Sequence, residues 1–119
     1  MDRSLVYERY HFLRDLGRQT SRQTREGFIR LMSREMMEAL QIVVECIAYG
    51  WIVISRVDYR VFRRHTDDLR QIVGARISFE RKKRALVRIH QLLPRLLREH
   101  YLRRVIRVER QRNRMQAES

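Results

Sequence analysis

Residues 77–101 read ISFERKKRALVRIHQLLPRLLREHY, and their pattern indicates the fold class. Its leucines recur three and four residues apart, which is the spacing of one face of an α-helix. A serine near its start is a good helix N-cap, and a single proline interrupts the run. On a helical wheel most of the arginines group on the side roughly opposite the leucines. The stretch therefore predicts an amphipathic helix with one apolar face and one arginine face.

The rest of the chain shows the same helical periodicity. Its 119 residues, 44% of them apolar, suit one domain with one core. Four glycines and one proline leave little material for hairpin turns. We therefore predict an all-α, single-domain bundle of about four to five helices. The predicted helices cover residues 4–16, a short segment after Thr20 or Ser21, the residues between Ser33 and Gly50, those between Ser55 and Gly74, and a long basic run after Ser78.

One apolar segment, WIVIS at residues 51–55, does not fit this pattern. It is too apolar for an exposed loop and too short for a helix. We expect it to cross the core as an extended connector.

The last predicted helix is long and basic, and it should kink at Pro94 or restart from it, because proline lacks the backbone donor. Beyond the proline, the apolar stripe of Tyr101, Leu102, Val105 and Ile106 falls on the arc that the arginines occupied before it. A straight helix cannot bury both stripes in one small core. The tail therefore bends, or its stripe contacts another chain. We predict a helical domain over residues 1–100, a partly frayed basic extension over 101–119, and a homodimer interface at this stripe.

Charge is the second informative property. The chain has 27 basic and 14 acidic residues, a net charge of +13, and all but Lys82 and Lys83 of the basic residues are arginine. Residues 76–114 contain most of the excess of basic over acidic residues. The arginine fork matches phosphate or carboxylate in bidentate fashion, although a GC-rich coding sequence would give the same bias. The predicted nucleic-acid-binding residues are Arg81, Lys82, Lys83, Arg84, Arg88, Arg95 and Arg98.

Catalytic and metal-binding motifs are missing from the sequence, and we predict no enzyme, no metal and no cofactor. Cys46, the single cysteine, lies among aliphatic residues and predicts an inert buried thiol. The histidines lack the spacing of known metal motifs. There is no recognisable secretory signal and no uncharged run near the ~20 residues of a membrane span. We expect an intracellular, nuclear or virion-interior location.

Three segments, LVYERYHFLRDL, SREMMEALQIVVECIAYG and VFRRHTDDLRQIVGARISFERKKRALVR, occur in this order within residues 5–88. Together they resemble the small basic helical proteins of polinton- and adintovirus-type DNA elements. Those proteins usually carry lysine where this chain carries arginine, and an Asn-Val-Pro-like connector where it has WIVIS. The resemblance implies a viral DNA setting and brings no catalytic motif.

Two hypotheses follow from these patterns. The first is a non-enzymatic helical protein that holds double-stranded nucleic acid, DNA more than RNA, through its phosphates in packaging or genome organisation. The alternative is an interaction or assembly module whose basic face contacts an acidic protein partner.

Overall fold

The computed structural model describes residues 3–118, and the side chains of residues 3–116. Within that range the chain is all-α and contains no strand, as predicted. It has nine helices and one 3-10 turn, so four to five was an underestimate. The helices are α1 (Leu5–Glu8), α2 (Tyr10–Gly17), α3 (Arg22–Arg30), α4 (Arg34–Ala48), α5 (Arg56–Arg63), α6 (Thr66–Val73), α7 (Phe79–Arg88), α8 (Leu93–Leu96) and α9 (Glu99–Glu118).

Serine residues begin five of the helices. Each has extended backbone angles, and its hydroxyl accepts a hydrogen bond from the N–H three residues later. This is the N-cap geometry that satisfies a free donor of the first turn. The helix starts predicted at Ser33, Ser55 and Ser78 are confirmed. The other two capping serines are Ser4 and Ser21.

Two predicted helices are each divided in two. The first breaks at Arg9 (φ −110°, ψ 20°) and the fourth breaks near His65 (φ −122°, ψ 28°). At each point one residue leaves the helical region and turns the chain. The turn at Arg9 lets α1 pack on α4 and α9 while α2 packs on α8.

The chain around Pro94 restarts as a new helix instead of continuing with a kink. Helix α7 ends at Arg88, a 3-10 turn occupies His90–Leu92, and Pro94 lies at the start of α8. A missing N–H is tolerated there, because the first donors of a helix have no partner within it. Helix α9 then begins at Glu99, so its orientation is independent of α7.

The core is built around α4, whose buried residues include Leu40, Val43 and Val44. Its C-terminus is a Schellman motif in which Gly50 has a φ of 71°. The N–H of Trp51 bonds the carbonyl of Cys46 at 2.9 Å, and this bond closes the helix end. The helix end predicted at Gly50 is confirmed.

The WIVIS connector does not cross the core as predicted. Only Ile52 is buried, whereas Trp51 is 42% and Val53 78% exposed. Alternate side chains of an extended segment point to opposite sides, so a connector lying on the surface can bury one residue and expose its neighbours.

The tail stripe of Tyr101, Leu102, Val105 and Ile106 is buried within this same chain. The expectation of an exposed stripe covered by a second copy is therefore wrong. The reason is the restart at α9, which turns the stripe toward α1 and α4. The predicted boundary at residue 100 lies in the first turn of α9, and residue 119 lies outside the described residues.

Candidate nucleic-acid interface

The predicted basic stripe does not form one surface, because Arg95 and Arg98 are engaged in the structure. Both contact Asp58 of α5, whose carboxylate is 1% exposed. Arg95 Nη1 donates to Oδ1 at 2.9 Å, and Arg98 Nε donates to Oδ2 at 2.8 Å. The Tyr101 hydroxyl donates to the same Oδ2 at 2.7 Å and accepts from the N–H of Ser55 at 2.9 Å. We call this group of residues the Asp58 clamp.

The Asp58 clamp has the electrostatics of a structural ion pair. Burial alone would raise the pKa of Asp58, but the three donors outweigh burial and hold the pKa well below its ordinary value of 3.8. The carboxylate is therefore ionised at neutral pH and joins α5 to α8 and α9. Arg95 and Arg98 retain side-chain exposures of 38% and 40%, and the single carboxylate of Asp58 balances one of their two positive charges.

The two lysines of the predicted site also bond other residues of the chain. Lys82 is buried, and its Nζ donates to Oε1 of Gln41 at 2.8 Å. Burial lowers its pKa, and nearby glutamates of α4 oppose that effect. Lys83 donates to the carbonyl of Arg30 at 3.0 Å and lies 4.5 Å from the ring centre of Phe79. Both lysines fasten α7 to its neighbours.

The remaining three predicted residues lie on the exposed side of α7. Arg88 bonds Asp68 at 2.9 Å and Gln71 at 3.2 Å, both on α6. Arg81 and Arg84 are exposed, and within residues 3–116 neither side chain has a hydrogen-bond or ion-pair partner. Of the predicted site, these two arginines are the ones that the structure leaves available.

The outer face of α9 carries a longer row of arginines. On a wheel at ~100° per residue, residues 103, 107, 110 and 114 lie within a narrow arc, opposite Tyr101 and Val105. Arg103, Arg107 and Arg114 are exposed, and Arg110 is half-buried against the ring of Tyr7 at 4.8 Å. We call these four arginines the α9 stripe. They extend over about 16 Å of helix at 1.5 Å per residue.

Two further arginines flank the α9 stripe and fix the chain beside it. Arg104 donates to the carbonyl of Val53, and Arg112 lies 4.0 Å from the ring centre of Trp51. Both contacts hold the WIVIS connector against α9. Cation–π contacts of this kind orient a guanidinium while leaving its edge donors accessible.

Acidic neighbours of the α9 stripe are few. Residues 103–114 contain six arginines and one glutamate, Glu109. Glu109 accepts from the N–H groups of Leu5 and Val6, each at 3.0 Å, and from the Ser4 hydroxyl at 2.7 Å. Its carboxylate therefore caps the start of α1. Glu99 forms an ion pair with the stripe, at 3.5 Å from Arg103.

The predicted site does not include the α9 stripe, because the wheel positions of residues 101–108 were taken in the phase of the helix before Pro94. In that phase the tail arginines fall on the leucine side and do not join the predicted arginine face. The informative pattern was present: an apolar stripe beginning at Tyr101, with arginines four and seven residues apart opposite it.

Within residues 3–116 no group of three His, Cys, Asp or Glu side chains is placed to hold a metal ion. No helix in that part of the chain is both long and apolar enough to span a bilayer. Burial, with help from Glu109 and Glu45, raises the pKa of Cys46 to about 12. That thiol is therefore protonated at neutral pH and is a poor nucleophile.

No family model, curated protein or solved structure matches the chain.

Proposed function

We propose that the protein binds nucleic acid through phosphate contacts made by the α9 stripe, without enzymatic activity. The observation that carries this proposal is the position of Arg103, Arg107, Arg110 and Arg114 on one outward face of a 20-residue helix. The opposite face of the same helix is buried, so the core holds the stripe in place. A row of arginines on a folded helix needs no backbone ordering on binding, so it loses less conformational entropy than a flexible basic tail would.

The ligand chemistry follows from the side chains. Arginine donates two parallel hydrogen bonds to phosphate oxygens, and phosphate contacts position a protein without distinguishing base sequences. The two available arginines of α7, Arg81 and Arg84, add charge on another part of the surface. Duplex DNA is the favoured ligand over RNA, because the resemblance is to proteins of DNA elements. The corresponding role is packaging or genome organisation inside a cell, its nucleus or a virion.

The experiment is a binding titration of a short DNA duplex at several salt concentrations. Each neutralised phosphate contributes about −0.9 to the slope of log K against log salt, so four arginines predict a slope of about −3.6. The variant Arg103→Ala/Arg107→Ala/Arg114→Ala should make the slope shallower by about 2.7. All three side chains are exposed, so circular dichroism should show an unchanged helix content.

A matched control removes the same charge elsewhere. Arg30, Arg70 and Arg76 are exposed residues of α3, α6 and the following loop, whereas α9 packs mainly on α1 and α4. Alanine at these three positions should leave the slope nearly unchanged. Equal losses in both triple variants would show that only net charge matters and would refute a defined site. If Arg81→Ala/Arg84→Ala alone removes most of the slope, the binding surface is α7 and not α9.

A further inference from the structure

A second surface lies on another part of the molecule, where α4, α5 and α6 enclose a groove of about 400 Å³. Volumes of this size are typical of ligand-binding clefts. We call it the α4–α6 groove. Its lining residues are Val44, Ile47, Ala48, Tyr49, Tyr59, Phe62, Arg63, Thr66, Leu69, Arg70, Val73 and Leu96.

The groove has an apolar floor and an open mouth. Val44, Phe62 and Leu96 form buried parts of its lining. Tyr49 and Tyr59 are 63% and 52% exposed, so the lining continues to the surface. A contiguous apolar surface of this kind, rimmed by polar groups, marks an interaction site more often than chance exposure does. Because its walls are helices, its shape suits another helix laid between them.

Two arginines give the rim its charge. Arg63 of α5 and Arg70 of α6 are both exposed, and no carboxylate among residues 3–116 bonds either side chain. The Arg63 guanidinium lies 5.8 Å from the ring centre of Tyr59, which holds it beside the mouth. Asp68 of α6 bonds Arg88 instead. The groove therefore presents apolar surface and positive charge together.

We propose that the α4–α6 groove binds an acidic amphipathic helix of a partner protein. Apolar residues at i, i+3, i+4 and i+7 of that helix would fill the floor, and flanking carboxylates would contact Arg63 and Arg70. Nucleic acid is a poorer fit, because phosphates gain nothing from an aliphatic floor. A second copy is also a poorer fit, because two chains of net charge +13 repel each other. The inference does not depend on DNA binding by α9.

The test uses a fluorescein-labelled helical peptide with leucines at i, i+3, i+4 and i+7 and glutamates at the flanking positions. Fluorescence anisotropy measures its affinity for the full chain, and amide chemical shifts map the contact. We expect saturable binding, with the largest shifts in α4, α5 and α6. A peptide with glutamine in place of glutamate should bind about tenfold more weakly, as should Arg63→Ala/Arg70→Ala.

A third variant separates shape from charge. Ala48 is an exposed lining residue, and Ala48→Trp should block the groove without burying new polar atoms. It should weaken the peptide at least tenfold. The charge control, Arg9→Ala/Arg30→Ala, should not change peptide affinity, because Arg30 ends α3, which does not line the groove, and Arg9 is a charge neighbour of Glu35 at the far end of α4. That end lies about 20 Å from Ala48.

Four outcomes would overturn the proposal. The first is that polyglutamate binds as well as the peptide and Ala48→Trp has no effect, which would show charge attraction alone. The second is that DNA displaces the peptide from the groove. The third is that laurate binds there more tightly than the peptide, and the fourth is a dimer, seen by light scattering, that Ala48→Trp dissociates. Loss of DNA binding in the α9 variants leaves this test unaffected.

Discussion

Replacing Asp58 with asparagine should destabilise the protein severely, because the variant keeps the size of the side chain and removes its charge. Arg95, Arg98 and Tyr101 would then lose a charged acceptor that is 1% exposed. Removing one partner of a buried ion pair typically costs 3–5 kcal/mol. Here both guanidinium groups are more than a third exposed and can regain water, so we expect the lower end, about 3 kcal/mol.

Urea denaturation followed by circular dichroism measures this loss. With an m value of about 1.5 kcal/mol/M, the midpoint of Asp58→Asn should fall by about 2 M. The control is Asp15→Asn, since Asp15 is exposed and its contact with Arg14 is 3.4 Å. We expect that control to change stability by less than about 0.5 kcal/mol.

The pH dependence gives a second measurement on the same variant. The folded pKa of Asp58 is depressed, so its contribution is complete above the unfolded pKa of about 3.9 and is lost as the pH falls toward the folded value. The wild-type protein should therefore lose stability below about pH 4 more steeply than Asp58→Asn. Equal midpoints at neutral pH, or parallel acid profiles, would show that the Asp58 clamp does not stabilise the fold.

Three other predictions test packing, capping and burial. Gly17→Ala would place a Cβ 2.8 Å from Leu97 Cβ and should destabilise the protein by about 1–3 kcal/mol. The Cβ of Gly27→Ala meets nothing within 4 Å, so that variant should stabilise the protein by about 0.5–1 kcal/mol. Thermal denaturation of both variants measures the two changes. Glu109→Gln should cost about 1–2 kcal/mol, because α1 loses a charged acceptor, and amide hydrogen exchange should show the loss first in α1. Cys46, 1% exposed, should react with a thiol reagent only at the rate of global unfolding, and fast reaction of the native protein would contradict its burial.

The helix starts could be predicted because they depend on local chemistry. A serine hydroxyl and the N–H three residues later are set by a few backbone angles, and Ser33, Ser55 and Ser78 needed no tertiary information. The breaks at Arg9 and His65 could not be predicted, because nothing in their side chains forbids a helix. Packing against distant elements bends the chain there, and propensity is too weak to resist it.

The site was harder to predict than the fold. Ser55 and Asp58 have the three-residue spacing of a capping box, and the backbone N–H of Asp58 does bond the Ser55 hydroxyl, at 3.1 Å. Its carboxylate, however, bonds residues 37 to 43 positions later. No sequence period connects those positions. A wheel shows which face a residue occupies but not what lies opposite that face, so the ion pairs of Arg95 and Arg98 with Asp58 could not be predicted.

The contact between Glu109 and α1 has a consequence for how the chain is made. Glu109 follows Leu5 by 104 residues, so α1 lacks its acceptor until nearly every core residue of this domain has been synthesised. A four-residue helix is not stable in isolation. On the ribosome, α1 is therefore unpaired beside an incomplete core. It can bond Glu109 only after α9 has emerged. Translation speed before that point determines how long the unfinished apolar surface is exposed to chaperones and to aggregation.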